Sequence, residues 1–293
     1  MNKLTVLFDL IGIKALQVFR NLLMKKRGLD VTTPIVLQKK FVNDFKTDQD
    51  IDDFIETFFS TTKIDSNSLD SKVKLTSFLS DLSKQSEIFN NRPYQAGGLD
   101  VEIKLICTLL AQYSDAQVLE VGVANGYSSA CLYKILDSFG GSIFSIDMPR
   151  FSQNPNTFIE KLHARGAKHG FIKNTGTIID LNPGGVIPSE KYAGWMIPFQ
   201  LRQSVKSTTL YGNVFNVINE FEENKFDFIV LDAMKDYQAR IDLLEHSKKI
   251  AKENCIIVFD GYWVNSAFDD FCNNNKLEAR HIGKVGLVQI KRV

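Results

Sequence analysis

The chain lacks most of what would mark a specialised surface. It has no charge excess: 35 basic residues against 34 acidic ones leave a formal charge of +1, so no global field draws it to nucleic acid or to an anionic bilayer. It has only four cysteines, Cys107, Cys131, Cys255 and Cys272. They form no C-x-x-C pair and three lie in strongly apolar stretches. This excludes a disulfide framework and a zinc knuckle, and it points to small core residues in a reduced, cytoplasmic setting. His163, His169, His246 and His281 show no metal-ligand spacing. There is no internal repeat, no low-complexity tract and no uninterrupted apolar run of the roughly 20 residues that a membrane span needs. What is present, 44% apolar and 24% charged residues, is the profile of a folded globular chain with a sizeable core and one smaller unit.

Leu4 to Met24 places Leu4, Leu7, Phe8, Ile11, Ala15, Val18, Phe19 and Leu22 at helical spacing, ahead of Lys25, Lys26 and Arg27. A basic amphipathic helix is expected, packed on its own domain or on a second subunit of a homodimer, with peripheral membrane contact as the alternative. No A-x-A-like site follows it, so a secretory signal is not expected. Ile51, Phe54, Ile55 and Phe58, then Val73, Leu75, Phe78, Leu79 and Leu82, continue the helical texture. Residues 1–95 therefore read as a helical N-terminal extension that caps a pocket or builds a dimer.

From Leu99 the texture changes to short β-branched runs alternating with helical segments, the signature of a parallel sheet with crossover helices. Strands are expected at Gln117–Val121, Ser142–Ile146, Ser207–Tyr211, Phe226–Leu231 and Cys255–Phe259. Helices are expected at Tyr127–Ser138, Asn156–Arg165, Val214–Glu222, Tyr237–Lys252 and Ala267–Asn275. Glu278–Ile282 and Gly286–Lys291 are so close that they must form an antiparallel hairpin. The expected architecture for residues 96–293 is α/β: a Rossmann-like doubly wound sheet, mostly parallel, with a C-terminal antiparallel hairpin. The glycine-rich residues 166–197 read as a loop insertion near the substrate pocket.

The most informative stretch is Val118-Leu119-Glu120-Val121-Gly122-Val123-Ala124-Asn125-Gly126-Tyr127-Ser128-Ser129. A buried strand ends in a turn with two glycines, and Ser128 or Ser129 is placed to cap the next helix. Glycine suits a turn against which a ligand lies, because a Cβ would block the approach. The G-x-G-x-x-G pattern of pyrophosphate sites is absent, and Glu120 precedes the first glycine. A carboxylate there repels phosphate and favours an ammonium or sulfonium ligand, which points to S-adenosylmethionine. Asp147 closes the second strand, where a carboxylate accepts hydrogen bonds from ribose hydroxyls.

On these residues the chain resembles class I S-adenosylmethionine-dependent methyltransferases, and the Glu-Val-Gly-x-x-x-Gly-Tyr-Ser run is similar to the catechol and caffeoyl-coenzyme A type of O-methyltransferase. The resemblance spans about residues 96–293. It implies cofactor contacts from Glu120, Gly122, Gly126, Tyr127, Ser128, Asp147 and Asp232, with Gly212 and Asn213 at the adenine. Gly194-Trp195-Met196-Ile197-Pro198, leading through Leu201-Arg202, is loosely similar to a pattern of bacterial biosynthetic methyltransferases. Asp232 and Lys235, in Leu231-Asp232-Ala233-Met234-Lys235, fall where the family has a divalent-metal ligand and a general base. A hydroxyl of pKa about 10 is a poor nucleophile at neutral pH, so a metal ion and a lysine of lowered pKa would together generate the oxyanion. Asp232 also reads as a helix cap, and Lys235 as a solvated first-turn lysine.

Asp260 matches the family's second metal aspartate, but Gly261 stands where the family has an asparagine ligand, so one ligand of a Mg2+ or similar site is missing. The function implied is methylation of a small-molecule hydroxyl. The alternatives are a metal-independent methyltransferase acting on a sugar or other biosynthetic intermediate, and a non-catalytic protein that binds adenosylmethionine. A nicotinamide-dependent oxidoreductase is disfavoured by the glycine spacing. Trp195 and Trp263 read equally as walls of an acceptor pocket and as core residues.

Overall fold

The computed structural model describes residues 48–59, 64–90, 99–147, 168–172, 177–181, 194, 196–234 and 236–291. The amphipathic segment Leu4–Met24, the helix expected at Asn156–Arg165, and His163, Trp195 and Lys235 lie outside the described residues.

Among the described residues four helices come first: α1 (Asp48–Phe59), α2 (Ser66–Val73), α3 (Leu75–Asn90) and α4 (Leu99–Leu110). Asp65 starts α2 by accepting from the Ser68 amide, and Lys74, left-handed at φ 55, ends it, so each end of the helix has a local cause. The alternating part follows as β1 (Ala116–Val121), α5 (Tyr127–Phe139), β2 (Gly141–Asp147), β3 (Lys168–Ile172), β4 (Thr177–Leu181), α6 (Phe199–Ser204), β5 (Lys206–Tyr211), α7 (Val214–Ile218), β6 (Phe226–Leu231), α8 (Tyr237–Ile250) and β7 (Ala251–Asp260). A single turn of 3-10 helix (Tyr262–Val264), α9 (Ala267–Asn274), β8 (Arg280–Ile282) and β9 (Val285–Gln289) complete it.

The strands form one sheet in the order β3-β4-β5-β2-β1-β6-β7-β9-β8. The central five, β5-β2-β1-β6-β7, are parallel to one another, and β8 and β9 form the expected antiparallel hairpin at one edge. Alternation along the central strands splits their side chains between two buried clusters. Val118, Ile143, Phe228, Val230, Ile256 and Val258 face the cluster that also holds α5 and the N-terminal helices. Leu119, Val121, Ile146, Ile229, Leu231, Ile257 and Phe259 face the other, under α7, α8 and α9. Helices on both faces make the sheet doubly wound, and strands buried on both sides read as continuous apolar runs for that reason. Fully buried rings such as Phe226, Phe228, Phe259, Phe268 and Phe271 each contribute about 1.5–3 kcal/mol of transfer free energy. Ile51, Ile55, Leu69, Val73, Leu75, Leu79 and Leu82 belong to the first cluster, so helices α1–α3 share a core with the sheet. All four cysteines are free and buried, as expected of core residues. Among the described residues no helix is long and apolar enough to cross a membrane.

Two expectations need correction. The region expected as a loop insertion contains β3 and β4, an antiparallel pair that extends the sheet beyond β5, with Leu181 opposite Thr208 and Ile178 opposite Tyr211. The edge of β5 has unpaired backbone groups that another strand satisfies, and Thr177-Ile178-Ile179 supplies the β-branched residues for it. The second concerns Ser128 and Ser129. Helix α5 begins at Gly126 with no side-chain cap, because both hydroxyls are turned to Glu120.

Candidate active site

Strand register builds the site. Val121 pairs with Ile146 and with Leu231, Asp147 with Tyr211, and Leu231 with Phe259. The five parallel strands thus end in one row, and Gly122, Asp147, Gly212, Asp232 and Asp260 emerge side by side along their carboxyl edge. The chain moves from β1 outward to β2 and β5, then crosses back to β6 on the other side of β1. That reversal lies between Gly122 and Asp232, and ligands of open α/β sheets occupy such a crevice.

Gly122 is left-handed at φ 94, and a Cβ on it would collide with the carbonyl oxygen of Asp232. The glycine is therefore required first by the protein's own seam, where the Asp232 amide donates to Val121 O at 2.8 Å. Two residues on, Ala124 adopts φ 51, uncommon for a residue with a Cβ. It thereby aims its amide at Asp147 Oδ2, 2.8 Å away. On the far side of β2 the Gly212 amide donates to Asp147 O at 3.0 Å. Asn213 caps α7 by accepting from the Phe215 amide at 2.9 Å. A strap formed by Gly194 and Met196 crosses the turn, with amides donating to Ala124 O (3.0 Å) and Asn125 O (2.9 Å). Arg202, 2% exposed, fastens it by donating to Ile197 O at 3.0 Å and to Gly194 O.

Glu120, expected beside the ligand, lies beneath the turn and is 1% exposed. Alternation along β1 sends it to the same face as Val118, under α5. Its carboxyl accepts from Ser129 (2.8 and 2.7 Å), Ser145 (3.2 Å) and Ser128 (3.3 Å). Burial pushes its pKa up to about 7, against the lowering effect of these hydroxyls and with a smaller push from Asp147. Tyr127 is likewise a core residue, 4% exposed.

At the other end of the row, Asp232 is exposed and Asp260 half-buried. Between their loops lies Arg240, fully buried and not anticipated from the sequence. Its guanidinium donates to Met234 O (3.1 Å), Gly261 O (2.8 Å) and Asp260 O (3.2 Å) and rests 4.7 Å from the Phe259 ring centroid. Burial lowers its pKa to about 10, opposed by the charges of Asp260 and Asp232, so it remains a cation at neutral pH. Trp263 is 43% exposed in the turn directly after Gly261, which excludes the core role. His281 is bound to Asp269 at 2.6 Å and stacked on Tyr262, and His246 lies against Phe215. Among the described residues no group of three or more His, Cys, Asp or Glu side chains is placed to hold a metal ion.

A doubly wound sheet with its glycine turn, strand-end acid and switch-point crevice at one edge defines a Rossmann-like α/β domain. Residues 119–262 match the family model described as a methyltransferase domain. Over that stretch the chain is similar to methyltransferase domains. Solved structures similar to it include an O-methyltransferase from Bacillus cereus in complex with S-adenosylhomocysteine, at 15% identity, 82% of this chain, 95% of that chain and a TM-score of 0.43. Another is the S-adenosylhomocysteine-bound Podospora anserina methyltransferase PaMTH1, at 13% identity, 75% and 94% coverage and a TM-score of 0.45. Similarity at this level assigns no role to any residue. No curated protein sequence matches the chain.

Proposed function

We propose that the protein transfers the methyl group of S-adenosylmethionine to an oxygen of a small molecule, with the cofactor in the crevice between the Gly122–Gly126 turn, Asp147 and Gly212-Asn213. The observation that supports this reading above others is the shared register of the strand ends, which lines up Gly122, Asp147, Gly212, Asp232 and Asp260 on one edge. Bound adenosylmethionine supplies an electrophilic methyl on a sulfonium. This chain's residues do the rest. Asp147 presents its carboxylate at the end of β2 for the ribose hydroxyls. Gly212 and Asn213 present backbone to the adenine. Glu120 acts from below, holding the turn through Ser128 and Ser129. Transfer needs alignment of acceptor oxygen, methyl and sulfur more than covalent catalysis. Lys235, three residues after Asp232 in the sequence, is the candidate base for the acceptor proton.

The donor set does not fit a resident divalent ion. Asp232 and Asp260 bring two carboxylates, Gly261 brings no side-chain oxygen, and the main-chain oxygens of Asp260 and Gly261 already accept from Arg240. A hard cation seeks about six oxygens. The metal-independent form of the reaction is therefore the one favoured.

Calorimetric titration tests the assignment. Adenosylmethionine should bind saturably and NAD should not. Asp147→Ala should weaken adenosylmethionine by roughly 10- to 100-fold, as expected for loss of hydrogen bonds to a charged group. Lys235→Ala should leave that affinity within about threefold of wild type and act only on turnover. An Asp147→Ala protein with undiminished affinity would move the cofactor elsewhere.

A further inference from the structure

We infer that Arg240 is the built-in cation of this site, a positioning residue that ties the loop after β6 to the loop after β7 and holds Asp232 and Asp260 without a divalent ion. The inference rests on the methyltransferase reading for its relevance and on geometry for its content.

A guanidinium carries five N–H donors in a rigid fork. In Arg240 its three nitrogens reach carbonyls on two separate loops, Met234 O on one and Asp260 O and Gly261 O on the other. Two of those carbonyls belong to residues in the left-handed region, Met234 at φ 65 and Gly261 at φ 66. For methionine that conformation is unfavourable and persists only where the surroundings over-determine it. Each loop thus bends so as to turn a carbonyl inward to the same cation. Gly261 is fixed a second time, its amide donating to Lys284 O at 2.9 Å.

This arrangement competes with a metal in two ways. Carbonyl oxygens that a divalent ion would recruit are directed inward and engaged. A fixed positive charge also lies within electrostatic reach of both aspartates, which opposes a second cation beside them. Arginine is almost never fully buried without partners. Here the partners are chiefly backbone, so its position reports on the loops.

The test uses the full chain with and without S-adenosylhomocysteine. Mn2+ alone, followed by its paramagnetic resonance, should show no saturable binding tighter than about 1 mM to wild type. In Arg240→Met, amide exchange at Ala233-Met234 and at Gly261–Val264 should accelerate together by about tenfold or more, with β1 and β2 unchanged. Arg240→Lys, which keeps the charge but reaches fewer carbonyls, should restore at most one loop. Saturable Mn2+ binding by wild type overturns the inference. So does exchange in Arg240→Met that is unchanged in either loop, or that is raised equally throughout the sheet as for a merely structural residue. A wild-type chain that failed to bind S-adenosylhomocysteine would overturn the methyltransferase reading alone, since the Mn2+ and exchange measurements are decided without it.

Discussion

The two flanks of the carboxyl edge solve the same problem differently. On one flank, β1, β2 and β5, assigned to the cofactor in the proposed function and called the cofactor flank below, acidic groups are held by neutral donors close by: three serine hydroxyls on Glu120 and the Ala124 amide on Asp147. On the other flank, β6 and β7, assigned to the acceptor in the proposed function, a single buried cation does the holding, and it bonds to the carbonyls around the acids. The Ala124 amide fixes the Asp147 carboxylate without cancelling its charge, which would suit the cationic cofactor of the proposed function. A guanidinium offsets negative charge, which would suit a flank where, under the proposed function, an acceptor oxygen must lose its proton. The flanks meet at one seam, Gly122 against Asp232.

Breaking that seam should have the largest effect. Gly122→Ala places a Cβ against backbone that cannot rotate away, at a φ of 94 that side chains rarely adopt. Strain of this kind, added to forced separation of β1 from β6, should cost about 3 kcal/mol or more. Chemical denaturation would measure it, and adenosylmethionine binding should be lost in whatever protein folds. A variant of near wild-type stability would mean that the seam is pliable and the flanks independent.

Titration of Glu120 sharpens the contrast at somewhat smaller size. In the folded state burial raises it from the ordinary 4.5 to about 7, so the folded chain holds this proton more tightly than the unfolded one. The resulting stabilisation is complete below about pH 4.5 and is lost as pH climbs through about 7. Its span is on the order of 3 kcal/mol. Glu120→Gln keeps the shape and cannot ionise. Relative to wild type, the variant should gain roughly 2–3 kcal/mol between pH 5 and pH 8 in urea unfolding. A difference independent of pH would show that Glu120 does not titrate in this range.

The flanks also differed in how much of them the sequence disclosed. Glu120, Gly122, Gly126 and Asp147 were visible because a strand buried on both faces reads as an apolar run, and polar or glycine residues ending it stand out. What could not be read was direction. Glycine spacing does not say whether the missing Cβ makes room for a ligand or for Asp232 O, and alternation along β1 was needed to send Glu120 beneath the turn. Strands β3 and β4 were hidden by surrounding glycines, although Thr177-Ile178-Ile179 carried a β-branched signal. Arg240 had a signal too. It lies on the buried stripe of α8 with Leu243, Leu244, Ser247 and Ile250, at the spacing of an apolar face. An arginine there is either an error of phase or a buried cation. Pattern alone does not choose, because its partners are carbonyls supplied by loops that only the fold brings near.

The smallest expected effect separates backbone from side-chain recognition at the far end of the cofactor flank. Asn213 already spends its side-chain oxygen on the Phe215 amide, at the start of the five-residue helix α7. If cofactor contact there runs through the backbone of Gly212-Asn213, the side chain matters only as a cap. Removing a cap costs about 1 kcal/mol, which for a chain of this size lowers Tm by about 2–4 °C. Asn213→Ala should show that loss with adenosylmethionine affinity reduced only about threefold, the indirect result of a loosened helix start. Asn213→Ser restores an acceptor at the cap and should return both quantities to wild type, since serine caps as well as asparagine. If serine instead binds adenosylmethionine as weakly as alanine does while regaining Tm, the amide itself touches the cofactor. The cofactor flank would then read its ligand through a side chain at its outer end as well as through Asp147.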